Sequence, residues 1–204
     1  MKKFLTICVA ILGILIANPA TAQKMRYTNH TEVGVTGYNL TFKEAGFNLQ
    51  TFNGILLNPD LAVGATVGYE EFSVENRNNF SVLPISAAVR YTFLEPSKTR
   101  MIAALDAGYG FAWRNNYSGT EIETSGGLRV APELGLKFNT GTGNTFFSFA
   151  VGYQYQIIKE DWSQNMAPIG PTYYFDYFPN PTVDYQNEVK MNVHRFSVKV
   201  GFGF

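Results

Sequence analysis

Cysteine is almost absent from this chain of 204 residues: its one thiol, Cys8, lies in the first apolar run, so no disulfide framework can be drawn. Charge is scarce, at 16% Asp, Glu, Lys and Arg, against about 25% in an average globular protein. Neither sign dominates, since 16 Lys and Arg face 16 Asp and Glu, which excludes a basic nucleic-acid binder. Only two histidines occur, His30 and His194. No zinc motif, P-loop, dinucleotide fingerprint or nucleophile elbow is found, and no cofactor or metal is expected. What is plentiful is 46% hydrophobic residues, 15% aromatics and 19 glycines. That composition excludes a disordered chain and a coiled coil.

The amino terminus reads as an export signal. Lys2 and Lys3 precede fourteen apolar residues, Phe4 to Ala17, then Asn18-Pro19 breaks the run and Ala20-Thr21-Ala22 offers a small-residue exit. Cleavage before Gln23 is expected, giving a signal peptide over 1–22 and one domain over 23–204. Removing Lys2 and Lys3 leaves 14 cations against 16 carboxylates. Downstream of the signal, no apolar run reaches the ~18 residues that mark a membrane-spanning helix.

The rest of the chain alternates with a period of two, the signature of strands with unlike faces. In the last segment His194, Phe196, Val198, Val200, Phe202 and Phe204 share a face opposite Arg195, Ser197, Lys199, Gly201 and Gly203. The same scheme recurs at 144–158, 127–138, 100–113, 83–93 and 61–70, and more weakly at 47–57 and 32–40. Eight strands are predicted. Pro84 and Pro132 fall inside them, and a local bulge is expected at each. Three connections are short, at 58–60, 94–99 and 139–143; of the other four, 71–81, 115–126 and 159–191 are long.

Two features set the apolar face outward. The strands reach eleven residues, which at about 3.3 Å per residue and a tilt of about 40° rise roughly 28 Å, the height of an outer-membrane barrel's apolar band. The opposite face is mostly Gly, Ala, Ser and Thr, as a narrow lumen packed with side chains requires. Its charges then need partners inside the barrel. Arg90, Arg129, Lys137, Arg195 and Lys199 are expected to meet Glu70, Asp106 and Glu133 in a salt-bridged plug. The fold class is therefore all-β: an eight-stranded antiparallel up-and-down transmembrane β-barrel.

With its signal, its eight alternating segments and its final Val198-Lys199-Val200-Gly201-Phe202-Gly203-Phe204, the chain resembles the small outer-membrane β-barrel family of Gram-negative envelopes, the OmpA/OmpX-like or "porin family" group. The resemblance implies an outer-membrane location, with periplasmic termini and short turns and with long extracellular loops. It also implies Phe202 and Phe204 as the carboxy-terminal signal read by the assembly machinery, and lipid and lipopolysaccharide as surroundings.

Chemistry at the histidines is disfavoured. Lipid A deacylases of this class use a His-x-Ser pair, whereas His194 and Ser197 stand three apart and fall on opposite faces. The segment 159–191 is rich in rings: Trp162, Tyr173, Tyr174, Phe175, Tyr177, Phe178 and Tyr185, among four prolines. These rings pack on one another or join the outer girdle, or else form a contact surface for an extracellular ligand or protein. The expected function is non-enzymatic, structural or surface-contacting through the loops. A narrow pore for small solutes is the alternative, followed by a lipid-modifying enzyme or a soluble periplasmic lipocalin-like binding barrel.

Overall fold

The computed structural model describes residues 26–38, 44–73, 79–94, 98–114, 122–141, 145–166 and 183–204, with the side chains of 122, 162–166 and 183–188 excepted. Nine strand segments occur in chain order: β1 (Arg26–Gly37), β2 (Gly46–Leu56), β3 (Leu61–Phe72), β4 (Phe80–Phe93), β5 (Thr99–Arg114), β6 (Ile122–Ser125), β7 (Gly127–Asn139), β8 (Phe146–Met166) and β9 (Val183–Gly203). Each wall strand pairs antiparallel with its neighbours, and β1 pairs with both β2 and β9, so the sheet closes on itself. β6 and β7 form one wall strand, and the barrel has eight.

The junction of β6 and β7 is a β-bulge. Between the pairs Ser125↔Lys159 and Arg129↔Gln156, four steps along β6 and β7 oppose three along β8, which adds one residue and bends the strand. Gly126 sits there because the walls meet too closely for a side chain: an added Cβ would lie 1.7 Å from the Gly110 carbonyl oxygen. The Tyr109 hydroxyl donates to the Gly126 carbonyl at 2.8 Å and pins the bend from outside.

The structure corrects four expectations. No bulge forms at Pro84 or Pro132; two pairs drop out beside each, and the register is the same on both sides. A proline removes a ladder donor without needing an extra residue. The first strand begins at Arg26 and ends at Gly37, not at 32 and 40. The segment 122–125, expected in a loop, is strand. Much of 159–191 is strand as well: β8 runs on to Met166 and β9 starts at Val183. These extensions form one two-stranded ribbon, with Lys159↔Lys190 and Met166↔Val183 in register. Of the proposed loop contact residues, Tyr173, Tyr174, Phe175, Tyr177 and Phe178 lie outside the described residues, as do the side chains of Trp162 and Tyr185.

The faces are inverted relative to a water-soluble barrel. Val151, Leu105, Leu134 and Val200 are among the large apolar side chains exposed on the wall, Val151 at 50% and Leu105 at 47%. Aromatics gather toward both rims. Tyr27, Phe204, Phe202, Phe147, Tyr91 and Phe93 ring the short-turn end, and Tyr69, Trp113, Tyr109, Phe111, Tyr153 and Phe196 lie toward the long-loop end. An apolar belt between aromatic girdles is the form a strand wall takes in lipid, where closure leaves no edge unpaired.

Candidate functional site

The alternate residues of every strand meet in the lumen, which is filled at three levels. Near the short turns, Phe52, Ala62 and Ala88 pack with Leu56, and the Arg90 guanidinium lies 4.9 Å from the Phe52 ring centre. At the long-loop end Phe72, Phe80, Val82, Ala112, Ile158 and Val193 form an apolar layer, with Met191 against it. Between the two lies a band of buried polar groups.

Of the eight residues predicted for that band, six pair as expected in type. Arg129 donates to Glu70 at 2.5 Å, with both side chains wholly buried. Asn48 and Gln154 also donate to Glu70, so its carboxylate is surrounded by donors. Arg90 grips Asp106 through both terminal nitrogens. Lys199 donates to Glu133 over the intervening strand β8. A charge removed from water needs this combination of counter-ion and hydrogen bonds.

Among the described residues the remaining two do not find a carboxylate. Arg195, 1% exposed, lies 4.5 Å from the Phe72 ring centre. It donates to Thr36 Oγ1 at 3.1 Å, to the Thr36 carbonyl, to the Ser73 carbonyl at 3.3 Å and to the Glu44 carbonyl. It thereby ties the end of β1 to the β1–β2 connection and to the root of the β3–β4 connection, and backbone dipoles stand in for an anion. Lys137 is half-buried near the short turns with its ammonium 4.1 Å from the Phe146 ring centre. The expected salt bridge fails at Arg195, although its ladder neighbour Gln154 donates to Glu70, because its donors are taken up by Thr36 and by backbone carbonyls; at Lys137 the ammonium rests on a ring near the short turns.

Sequence reasoning missed several members. Glu32 is buried on β1, accepts from Gln50 at 2.8 Å and stands 3.9 Å from Arg90. Gln50 also donates to Glu133 at 3.3 Å and so bridges two carboxylates. Arg114 and Glu160 pair at 3.0 Å near the long-loop end. The signal for Glu32 was its place two residues from other inward positions, obscured because β1 carries polar residues on both faces. On the outer face Asn29, Thr31, Thr51 and Asn53 bond mainly to one another, at 2.9 to 3.3 Å. Their polar groups are thus spent before they meet the surroundings.

Among the described residues one Ser–His hydrogen bond is seen, and it is not the one considered from the sequence. His194 points outward and bonds the Tyr153 hydroxyl, while Ser197 is buried on the opposite face. His30 Nε2 instead lies 2.7 Å from Ser148 Oγ inside the barrel. Glu32 is 3.7 Å from the same nitrogen, and Nδ1 has no hydrogen bond. A hydrolytic triad needs the acid on the other nitrogen, to orient the ring while the first serves the nucleophile. Adjoining cavities of about 30 Å³ and about 10 Å³ leave no room for an organic substrate.

Glu133→Gln tests the band. It leaves the Lys199 ammonium, 2% exposed, without its counter-ion. The expected result is a fall of about 2–4 kcal/mol in unfolding free energy, read from urea titration in detergent. An unchanged midpoint contradicts a paired interior.

No protein-family model and no curated protein matches the chain. Solved structures do. Neisserial surface protein A aligns with a TM-score of 0.52 and 14% identity, over 89% of this chain and 98% of that one. The outer membrane protein OprG from Pseudomonas aeruginosa aligns at 0.50 and 11%, over 87% and 94%. The outer membrane protein AlkL, determined in DMPC lipid bilayers, aligns at 0.50 and 12%, over 92% and 93%. At such identities the likeness is one of fold. The chain is a closed, antiparallel, eight-stranded β-barrel with the fold of these small outer-membrane proteins.

Proposed function

We propose that the protein is a non-enzymatic barrel of a Gram-negative outer membrane, acting in envelope structure or surface contact through its long-loop end. The observation that carries this reading is the pairing of an apolar wall with a lumen filled by ion pairs. A face built for lipid argues for an embedded wall, and a plugged lumen argues against bulk flow. In this reading the termini and short turns are periplasmic, and the long-loop end, with the ring-rich segment 159–191, meets an extracellular ligand or protein. Lipid and lipopolysaccharide surround the wall. Phe202 and Phe204 face outward on the last strand, where the assembly machinery would meet them.

Membrane fractionation tests this, followed by electrophoresis of boiled and unboiled samples. The expected result is outer-membrane sedimentation and a mobility that changes on boiling, as a closed barrel opens only when heated. Recovery in the soluble periplasmic fraction overturns it and favours a binding barrel. Planar-bilayer recording then separates structure from transport: stable, reproducible unit steps would establish the narrow pore instead.

A further inference from the structure

The barrel wall is uneven at the long-loop end. β1 stops at Gly37, opposite Phe196, while β9 extends beyond that pair and lies against β8 as far as Val183. Among the described residues, β9 therefore has a strand on one side only from Val183 to Arg195. Phe204 exchanges both backbone hydrogen bonds with Asn29 of β1, and the ladder between β9 and β8 runs without a break from Gly203 to Val183. Successive residues of a strand bond to opposite sides. Asp184, Gln186, Glu188, Lys190, Asn192 and His194 thus turn their amide and carbonyl groups to the open edge. An edge of this kind is a template for another strand.

The charges along the edge select that strand. Within the ribbon Lys190 stands opposite Lys159, and Glu188 opposite Asp161; like charges directly opposite are unfavourable. A second copy of the same edge, laid antiparallel with Val189 opposite Val189, sets Glu188 opposite Lys190 and Asp184 opposite His194, each twice. The hydrogen-bonded pairs in this register join only those residues whose backbone groups face the edge, and Asp184 to His194 is used in full. Centring the pair on Glu188 or on Lys190 sets like charge against like. Parallel pairing about a two-fold, which two barrels upright in one membrane would need, does the same.

We propose that two copies of this chain in facing membranes pair edge to edge through β9, antiparallel about Val189, in an isologous contact. β9 runs from the long-loop end toward the short turns, so a strand antiparallel to it belongs to an inverted barrel. The open edge lies beyond the rings of Tyr153 and Phe196, where such a barrel can reach it. The product is a four-stranded sheet made of β8 and β9 from each copy. Resting on the reading of an embedded barrel with its long-loop end outside, the pairing gives that surface contact a partner: a second copy on the opposing membrane.

The test is clustering of phosphatidylcholine vesicles that carry the protein, read by light scattering. Vesicles with the unaltered chain should cluster. Those with Glu188→Lys alone, or Lys190→Glu alone, should stay dispersed, and a mixture of the two should cluster again, since each supplies the charge the other needs. Cross-linking reads the register, with Cys8→Ser as background. Val189→Cys meets its own copy at a Cα separation of about 4.5 Å, within disulfide reach, and should give dimers on oxidation with copper phenanthroline. Asn187→Cys, set opposite Met191, should not. Clustering unchanged by both charge reversals, or equal dimer yields at the two cysteine positions, overturns the proposal. Vesicles that stay dispersed while holding barrels whose mobility changes on boiling overturn the pairing and leave the embedded wall standing. A chain that does not enter vesicles overturns both.

Discussion

Glu70→Leu is expected to lower the unfolding free energy by about 3–5 kcal/mol, among the largest effects of any single substitution in this barrel. Glu70 is the hub of the upper part of the network: Arg129, Asn48 and Gln154 all donate to it. Leucine removes the acceptor but leaves the Arg129 guanidinium buried, with Nε and Nη1 already lacking partners. The loss therefore reflects an abandoned charge more than the worth of the pair. Removing both charges isolates the point. The double variant Glu70→Leu with Arg129→Met is expected to be more stable than Glu70→Leu alone, since an apolar pair of similar volume can replace a buried ion pair. Urea titrations of the four forms of that cycle provide the check, and strictly additive losses would contradict a direct pair.

Leu134→Arg has the second large effect, and its sign depends on what lies outside the wall. Leu134 is 46% exposed and stands opposite Val151 on β8 and Ala103 on β5, away from both aromatic rims. In a bilayer, arginine at this depth is expected to destabilise by about 2–4 kcal/mol, falling to about 0–1 kcal/mol near the interface. Phe147→Arg, at the short-turn rim beside Phe202, is the shallow control. In water the same change at Leu134 would be neutral or would aid solubility. Folding yields into lipid vesicles, compared for the two variants, measure the gradient.

The strands differ in how plainly the chain announces them. In the middle of β4 and along most of β5 bulky residues alternate with small or polar ones, and their faces in the structure are those the pattern gives, with exceptions such as buried Ile102 and outward Ala107. β1 was poorly legible because Asn29 and Thr31 outside and Glu32 and Thr36 inside leave no contrast between faces. The ribbon formed by the ends of β8 and β9 reads as loop in the sequence for a related reason. Beyond the apolar belt, Lys159, Glu160 and Asp161 show no lipid-facing period, although their backbone pairs as before.

Partner choice inside the lumen was legible in kind and not in detail. Which acid meets which base depends on the stagger of strands far apart in sequence: Glu70 and Arg129 are 59 positions apart, and Lys199 and Glu133 are 66. Alternation fixes the face of a residue and says nothing of its height. That is why the pattern puts Arg195 and Lys137 on the inner face but cannot show that one spends its donors on backbone carbonyls and the other rests on the Phe146 ring. It also hid the Ser148–His30 contact, which joins positions 118 apart. The bulge at Gly126 left a trace in the Gly126-Gly127 pair, which reads equally well as the end of a loop.

An apolar face that looks outward into lipid is the property on which the others depend. Nitroxide labels along β4 test it most directly, placed one at a time from Leu83 to Tyr91 with Cys8, the only thiol in the sequence, replaced. Leu83, Ile85, Val89 and Tyr91 are exposed on the wall, while Ser86, Ala88 and Arg90 are buried between them. In vesicles, labels at the exposed positions should collide with dissolved oxygen and be shielded from a water-soluble nickel complex. Labels at the alternate positions should be shielded from oxygen, with a period of two along the strand. Strong nickel collisions at Ile85 and Val89 would contradict a lipid-facing wall and place that face in water.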